Sequence, residues 1–157
     1  MSLRDTLATA LKDAMKARAA DRLSTLRLIN AAIKDRDIAS RGNADDEQGA
    51  AGTVGDDEVL AILGKMIRQR QESARAYEEG GRLELAEKER AEITVIEEFL
   101  PRQLDAAEVA AAIDAAIAET AATSLRDMGR VMAHLKGRHA GEMDFGAVGA
   151  QVKARLA

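Results

Sequence analysis

Positive charge is concentrated in one short stretch near the end of the chain. Between Asp127 and Glu142 all the charged residues are positive, namely Arg130, Lys136 and Arg138. Histidines at positions 134 and 139 can add charge at lower pH. Guanidinium and ammonium groups bind phosphates, so the stretch predicts a local contact surface for a polyanion. Charge runs also occur on faces that contact only solvent, and that alternative stays open.

Arg126 extends this stretch toward the N-terminus. Arg126 and Arg130 are four residues apart, which places them on one face of a helix. Met128 and Met132 lie on the opposite face of the same predicted helix. We therefore expect the two arginines to face solvent together, with Lys136 extending the same end of the helix.

Other residue patterns that carry chemistry are missing from the sequence. The paired carboxylates occupy helix-cap and i,i+4 positions, where caps and solvated pairs explain them. His134 and His139, even with Glu142 and Asp144 nearby, do not have the spacing of metal ligands. The GKM segment at 64–66 lacks a phosphate-binding glycine loop, and no serine lies in a GxSxG motif. The sequence thus predicts no catalytic residue, no metal and no cofactor.

Apolar residues at spacings of three and four predict four helices before Pro101. The stripe of the first helix includes Leu7 and Met15, and Leu85 supplies apolar contacts in the fourth. Arg70 lies on the apolar stripe of the third helix, where it either extends past the edge of the core or pairs with a carboxylate of the fourth. The predicted helices are Leu3 to Arg18, one capped by Asp21, one from Asp56 or Asp57 to about Glu79, and one from about Leu83 to Phe99.

Three shorter helices are predicted after Pro101. Asp105 begins a capping box for a helix that ends near Glu119. Ser124 opens the next helix, in which Gly129 permits close helix contact and the apolar stripe comprises Leu125, Met128, Met132 and Leu135. Asp144 can cap a last helix over Phe145–Leu156.

These elements predict an all-α fold in two domains. Residues 1–100 form a four-helix unit, and residues 101–157 form a smaller three-helix domain, because Pro101 cannot continue a helix. Within the first domain, residues about 40–55 hold many glycines and one large apolar residue, Val54. Such a segment buries too little surface to offset its ordering entropy, which predicts a flexible loop.

Composition supports the helical class and limits the choice of partners. Of 157 residues, 33 are alanine, only 2% are aromatic and one is proline, which disfavours a sandwich or barrel of strands. The net charge is −4, which argues against indiscriminate nucleic-acid binding. Residues 1–101 account for that −4, since residues 102–157 hold seven cations and seven anions. Any polyanion site must therefore be local.

The chain has no feature of export or membrane insertion. It contains no cysteine, which is consistent with a reducing compartment, and Asp5 lies where a signal peptide would be positive. The most apolar stretch, residues 109–118, is short and includes Asp114. We expect a cytoplasmic protein with no membrane partner.

Four segments in order resemble the GatB/YqeY family, and the chain is most similar to its free-standing YqeY-like members. These members correspond to the helical and tail domains of the B subunit of tRNA-dependent amidotransferases. The segments are DRLSTLRLINAAIKD at 21–35, DDEVLAILGKMIRQRQES at 56–73, AEKERAEITVIEEFLPRQL at 86–104 and SLRDMGRVMAHL at 124–135.

The resemblance implies a two-domain α-protein whose C-terminal part is related to a tRNA-contacting tail. At the family level it also implies carbon–nitrogen ligase activity with glutamine as amide donor. The domain that performs ATP-dependent amide transfer in the B subunit has no counterpart here, so the chain is not expected to be catalytic alone. By position, the resemblance gives a candidate nucleic-acid surface of Arg126, Gly129, Arg130, Lys136, Arg138 and Gly141.

Three functional hypotheses follow. The first is an accessory module that binds tRNA or another structured RNA near aminoacyl-tRNA metabolism. The second is a helical protein–protein adaptor without RNA, and the third is a component of an amidotransferase that acts with proteins of that pathway.

Overall fold

A computed structural model describes residues 2–41 and 53–157. Throughout these residues the regular secondary structure is helical, with no strand, so the predicted all-α class is confirmed. The helices are α1 (Leu3–Lys16), α2 (Ala20–Arg41), α3 (Asp56–Glu79), α4 (Leu83–Glu97), α5 (Ala106–Thr120), α6 (Met128–Arg138) and α7 (Phe145–Leu156), with a one-turn 3-10 helix at Leu125–Asp127 before α6.

The helices form two compact units. The first comprises Met1–Leu100 with α1 to α4, and the second comprises Pro101–Ala157 with α5 to α7. Each unit has its own cluster of buried apolar side chains. Independent folding of the two units stays a prediction.

Helix α1 begins at a capping box that Ser2 forms with Asp5. The Ser2 hydroxyl accepts a hydrogen bond from the Asp5 amide at 3.2 Å, and the Asp5 carboxylate accepts one from the Ser2 amide at 3.2 Å. Hydrogen bonding of the Asp5 carboxylate to the Ser2 side chain, and then to the Ser2 amide, lowers the pKa of Asp5. Leu7 and Ala14 face the core, whereas Met15, predicted on the apolar stripe, is 54% exposed. Met15 is displaced by about 100° around the helix from the buried Ala14, so it points away from the core.

Helices α3 and α4 form an antiparallel hairpin around a turn in which Gly81 has a positive φ of 74°. Arg70 on α3 donates to the Glu92 carboxylate on α4 at 2.8 Å and to the Met66 carbonyl at 3.2 Å. This decides between the two interpretations of Arg70 in favour of the interhelical ion pair. Leu85 was predicted to supply apolar contacts, and it is instead 37% exposed near the start of α4.

The predicted loop over residues about 40–55 requires correction at both ends. Helix α2 continues to Arg41, and residues 42–52 of the predicted loop lie outside the described residues. Val54 is only 5% exposed and belongs to the core of the first unit. Its amide donates to the Asp37 carboxylate at 2.9 Å, and its carbonyl accepts from Arg4 Nε at 3.2 Å. These bonds satisfy the buried backbone of Val54, which composition alone did not indicate.

Candidate nucleic-acid interface

Helix α5 provides the wall against which α6 packs. The predicted capping box is present, since the Asp105 carboxylate accepts from the Glu108 amide at 2.8 Å and Glu108 accepts from the Asp105 amide at 3.2 Å. Hydrogen bonds from Arg102 and from the Asp105 backbone lower the pKa of Glu108 to about 2. Helix α5 ends at Ala121, which adopts a left-handed conformation with φ of 53°.

Helix α6 is amphipathic, and it buries one side completely. Val131 and Leu135 are 0% and 1% exposed, and Met128 and Met132 are partly buried against the same core. The opposite side is exposed throughout, and so is Arg126 in the 3-10 turn before α6. Together they are here called the α6 face, which consists of Arg126, Gly129, Arg130, Ala133, Lys136 and Gly137.

The predicted solvent orientation of Arg126 and Arg130 is therefore correct. Leu125 was predicted on the apolar stripe but is 45% exposed. Residues 125–127 form a 3-10 turn with about three residues per turn, so the register of the stripe changes before α6 begins.

Arg130 forms an ion pair at the start of the helix. Asp127 accepts hydrogen bonds from the amides of Thr123 at 2.9 Å and Ser124 at 3.3 Å, and it also contacts the Arg130 guanidinium. These interactions, with the Thr123 amide as the largest, lower the pKa of Asp127 to about 2. Arg130 also donates to the Thr120 carbonyl at 3.0 Å. The carboxylate thus offsets part of the charge that Arg130 could offer to a ligand.

Arg138 and both histidines also have carboxylate partners. Glu119 on α5 lies 2.6 Å from His134 Nε2 and 3.4 Å from the Arg138 guanidinium. His139 Nδ1 lies 3.1 Å from the Glu142 carboxylate. Sequence reasoning missed Glu119, because it is 19 residues before Arg138 and no local spacing connects the two.

Two cations of the α6 face are uncompensated. Arg126 and Lys136 are exposed, and neither makes a hydrogen bond or ion pair with any part of the chain that the structure describes. The continuous positive run predicted from the sequence therefore reduces to two free cations, with Arg130 and Arg138 available only by sharing or breaking an existing pair.

The two glycines of the candidate surface occupy different environments. A Cβ atom at Gly129 would meet nothing within 4 Å, so Gly129 does not serve the close helix contact expected of it. That contact lies at Gly149, where a Cβ would be 3.8 Å from the methyl carbons of Met128 and Met132. Gly141 lies in the turn after α6 with a positive φ of 74°, and its carbonyl accepts from Gln103 Nε2 at 2.6 Å.

Other kinds of site are not evident in the described ranges. Residues 2–41 and 53–157 contain no group of three metal-ligating side chains, and none of their helices is long and apolar enough to cross a membrane. A shallow concavity of about 450 Å³ lies at the α3–α4 turn and is lined by residues 81–85.

A family model described as "Yqey-like protein" matches residues 4–156, which is nearly the whole chain. The chain belongs to the YqeY-like family. It is also 30% identical over 100 residues to an uncharacterized protein of the yeast Schizosaccharomyces pombe, in a match that covers 64% of this chain and 73% of the yeast protein. The resemblance that the four sequence segments carry is therefore confirmed for the YqeY-like family. In this YqeY-like chain the α6 face lies within the matched region.

Proposed function

We propose that this YqeY-like chain is an accessory protein that binds tRNA or another structured RNA through the α6 face. The observation that carries the proposal is the pair of free cations, Arg126 in the turn before α6 and Lys136 on the exposed side of α6. The other side of α6 is fixed in the core. Such a helix presents its charges at a constant spacing, and cations of this kind bind phosphates with release of counterions.

The distribution of charge supports a local contact in the second unit. Residues 102–157 carry seven cations and seven anions, whereas residues 1–101 carry the whole net charge of −4. The second unit as a whole does not repel RNA, so two to four contacts, from the α6 face and the adjacent Arg138, suffice for weak binding. Because the salt dependence grows with the number of phosphate contacts, binding through so few contacts should depend only moderately on salt.

The proposed role is accessory rather than catalytic. The family relationship suggests carbon–nitrogen ligase chemistry with glutamine as amide donor, in the cytoplasm and together with proteins of aminoacyl-tRNA metabolism. The sequence has no phosphate-binding loop and no nucleophile motif of its own. We therefore assign the chain to RNA recognition, with any amide transfer performed by a partner.

Binding of bulk tRNA over a series of salt concentrations tests the proposal. Two phosphate contacts give a log–log slope of about −1.4 to −1.8, and four contacts give about −2.8 to −3.6. We expect the slope of the wild-type chain to lie between these limits, measured by fluorescence anisotropy with labelled tRNA. The absence of binding at low salt contradicts the proposal.

The alternative function, a protein–protein adaptor, is favoured by one observation in the first unit. Leu83 and Leu85 at the start of α4 are 62% and 37% exposed, and both line the concavity at the α3–α4 turn. Exposed apolar side chains in one concavity are typical of protein contacts. If tRNA does not bind at low salt, this surface becomes the leading candidate.

A further inference from the structure

We propose that the α6 face contacts a base-paired RNA stem through its sugar–phosphate backbone, without regard to base sequence. This inference rests on the proposed function and specifies the form of RNA that the same surface takes. Three observations support it: the spacing of the free cations, the lack of aromatic stacking side chains, and the lack of polar side chains other than cations on the α6 face.

The first observation concerns the length of the ligand. Arg126 lies in the 3-10 turn before α6 and Lys136 lies in α6, so their positions are about 16 Å apart along the axis and about 40° apart around it. Both side chains therefore leave the same side of the helix, but they start too far apart to converge on a single phosphate. A free phosphate or a mononucleotide would reach only one of them. The ligand must carry phosphates along a fixed path, as a duplex stem does.

The second observation concerns stacking. Proteins that bind single-stranded nucleic acid place successive bases on aromatic side chains. The whole chain has three aromatic residues, Tyr77, Phe99 and Phe145. Phe145, the one that belongs to the second unit, is packed against the core of that unit. Single-stranded RNA would therefore gain no aromatic stacking there.

Arginine can also stack on bases, but the arginines of this surface are mostly engaged. Arg130 is held by Asp127 and by the Thr120 carbonyl, and Arg138 lies against Glu119. Arg126 alone is free to stack. One guanidinium cannot hold a series of unpaired bases.

The third observation concerns sequence readout. Besides its cations, the α6 face presents Gly129, Ala133 and Gly137, none of which has a polar side-chain atom. Arg130 is held by Asp127 and the Thr120 carbonyl. Base identity is read by hydrogen bonds to base edges, whereas phosphate contacts fix position only. An A-form stem has a wide, shallow minor groove bordered by phosphates and 2′-hydroxyls, which a helix face with small side chains among its cations can approach.

Binding of defined RNAs by the full chain tests this inference. The probes are labelled tRNA, two duplexes of about 16 base pairs with unrelated sequences, and a single strand of the same length that does not self-pair. We expect the two duplexes to bind within about threefold of each other, since phosphate contacts carry no sequence information. We expect the single strand to bind at least roughly tenfold more weakly, because it has no stacking platform.

The outcomes separate this inference from the function on which it rests. If tRNA binds and the single strand binds as tightly as the duplexes, the inference is wrong while the proposed function stands. A preference of more than about tenfold for one duplex over the other also overturns the inference and leaves the proposed function standing. If no RNA binds at low salt, the proposed function fails and the inference fails with it.

Discussion

The arginines around α6 carry the same charge but differ in how available that charge is to a ligand. Arg126 has no partner among the described residues, whereas Arg130 contacts Asp127 and Arg138 lies near Glu119. An ion pair on the surface is weak, so Arg130 and Arg138 can still move toward a phosphate. Each such contact must first give up an existing partner, which is why we place the binding free energy mainly on Arg126 and Lys136.

Ala121→Gly is expected to stabilise the second unit. Ala121 caps α5 with φ of 53°, and a residue with a Cβ in this region costs about 1 to 2 kcal/mol that glycine does not. Part of the gain is lost because glycine is more flexible in the unfolded chain, so we expect a net increase of about 1 kcal/mol in the free energy of unfolding. Chemical denaturation measures this value.

The matched control for Ala121→Gly is Ala118→Gly, in the last turns of α5. Ala118 is exposed and helical, so glycine should lower the free energy of unfolding by about 1 kcal/mol there. Destabilisation by both substitutions would show that the conformation of Ala121 is not strained.

Arg70→Ala is expected to destabilise the first unit by about 2 kcal/mol. The substitution leaves Glu92 without its charged partner in a site where the two side chains are only 14% and 19% exposed. Arg36→Ala removes an exposed pair with Glu58, where the side chains are 59% and 51% exposed, and it should cost less than about 1 kcal/mol. Chemical denaturation measures both values. If Arg70→Ala and Arg36→Ala lowered the free energy of unfolding equally, burial would not be what makes the Arg70–Glu92 pair stabilising.

At the scale of elements, the ends of the helices couple the second unit to pH. Glu108 closes the capping box of α5, and Asp127 holds the turn before α6. Both carboxylates have a folded-state pKa of about 2, against ordinary values of 4.5 and 3.8. Their charged forms therefore favour the folded state.

Acid is expected to weaken this part of the fold. Because the folded pKa values lie below the ordinary ones, the stabilisation is present above about pH 5 and is lost as pH falls toward about 2. In this pH window the unfolding of the wild-type chain takes up about one proton at each of these carboxylates. Glu108→Gln and Asp127→Asn should each remove that uptake, so the unfolding free energy should change less steeply with pH. Denaturation at a series of pH values measures how steeply the unfolding free energy changes with pH. The same steepness in the wild-type chain and in both variants would contradict the claim that these two carboxylates couple the fold to pH.

Local spacing predicted much of the fold at this scale. The caps at Asp105 and Asp144 and the solvent orientation of Arg126 and Arg130 follow from residues within four positions of each other, and the structure has all of them. The features that the sequence did not predict depend on contacts between residues far apart in the chain. Glu119 meets Arg138 because α5 packs on α6, and Val54 lies in the core of the first unit, where Arg4 and Asp37 satisfy its backbone.

Two errors of register have local physical causes. A 3-10 turn exposes Leu125, and the direction in which Met15 leaves α1 exposes that side chain. Spacing patterns assume a continuous helix of 3.6 residues per turn, so they do not anticipate a change of helix type. The sequence predicted the candidate surface as a run of positive charge. Only the folded structure shows which of these cations are paired with carboxylates and which are free.

At the scale of the whole molecule, the two units are expected to fold independently. Each has its own buried cluster, and the division falls between Leu100 and Pro101. Fragments 1–100 and 101–157 should each show helical circular dichroism and a cooperative thermal transition. Two fragments that are both unstructured would contradict the prediction.

The central claim is that the chain binds RNA through Arg126 and Lys136. The most direct test compares the salt dependence of tRNA binding for the wild-type chain and for the double variant Arg126→Ala/Lys136→Ala. Lys65→Ala in the first unit and Lys153→Ala on α7 serve as controls, because both lysines are exposed and have no partner in the described chain. The double variant should bind more weakly, with a log–log slope shallower by about 1.4 to 1.8, while the controls keep the wild-type slope. An unchanged slope in the double variant, or an equal loss in the controls, would contradict the claim.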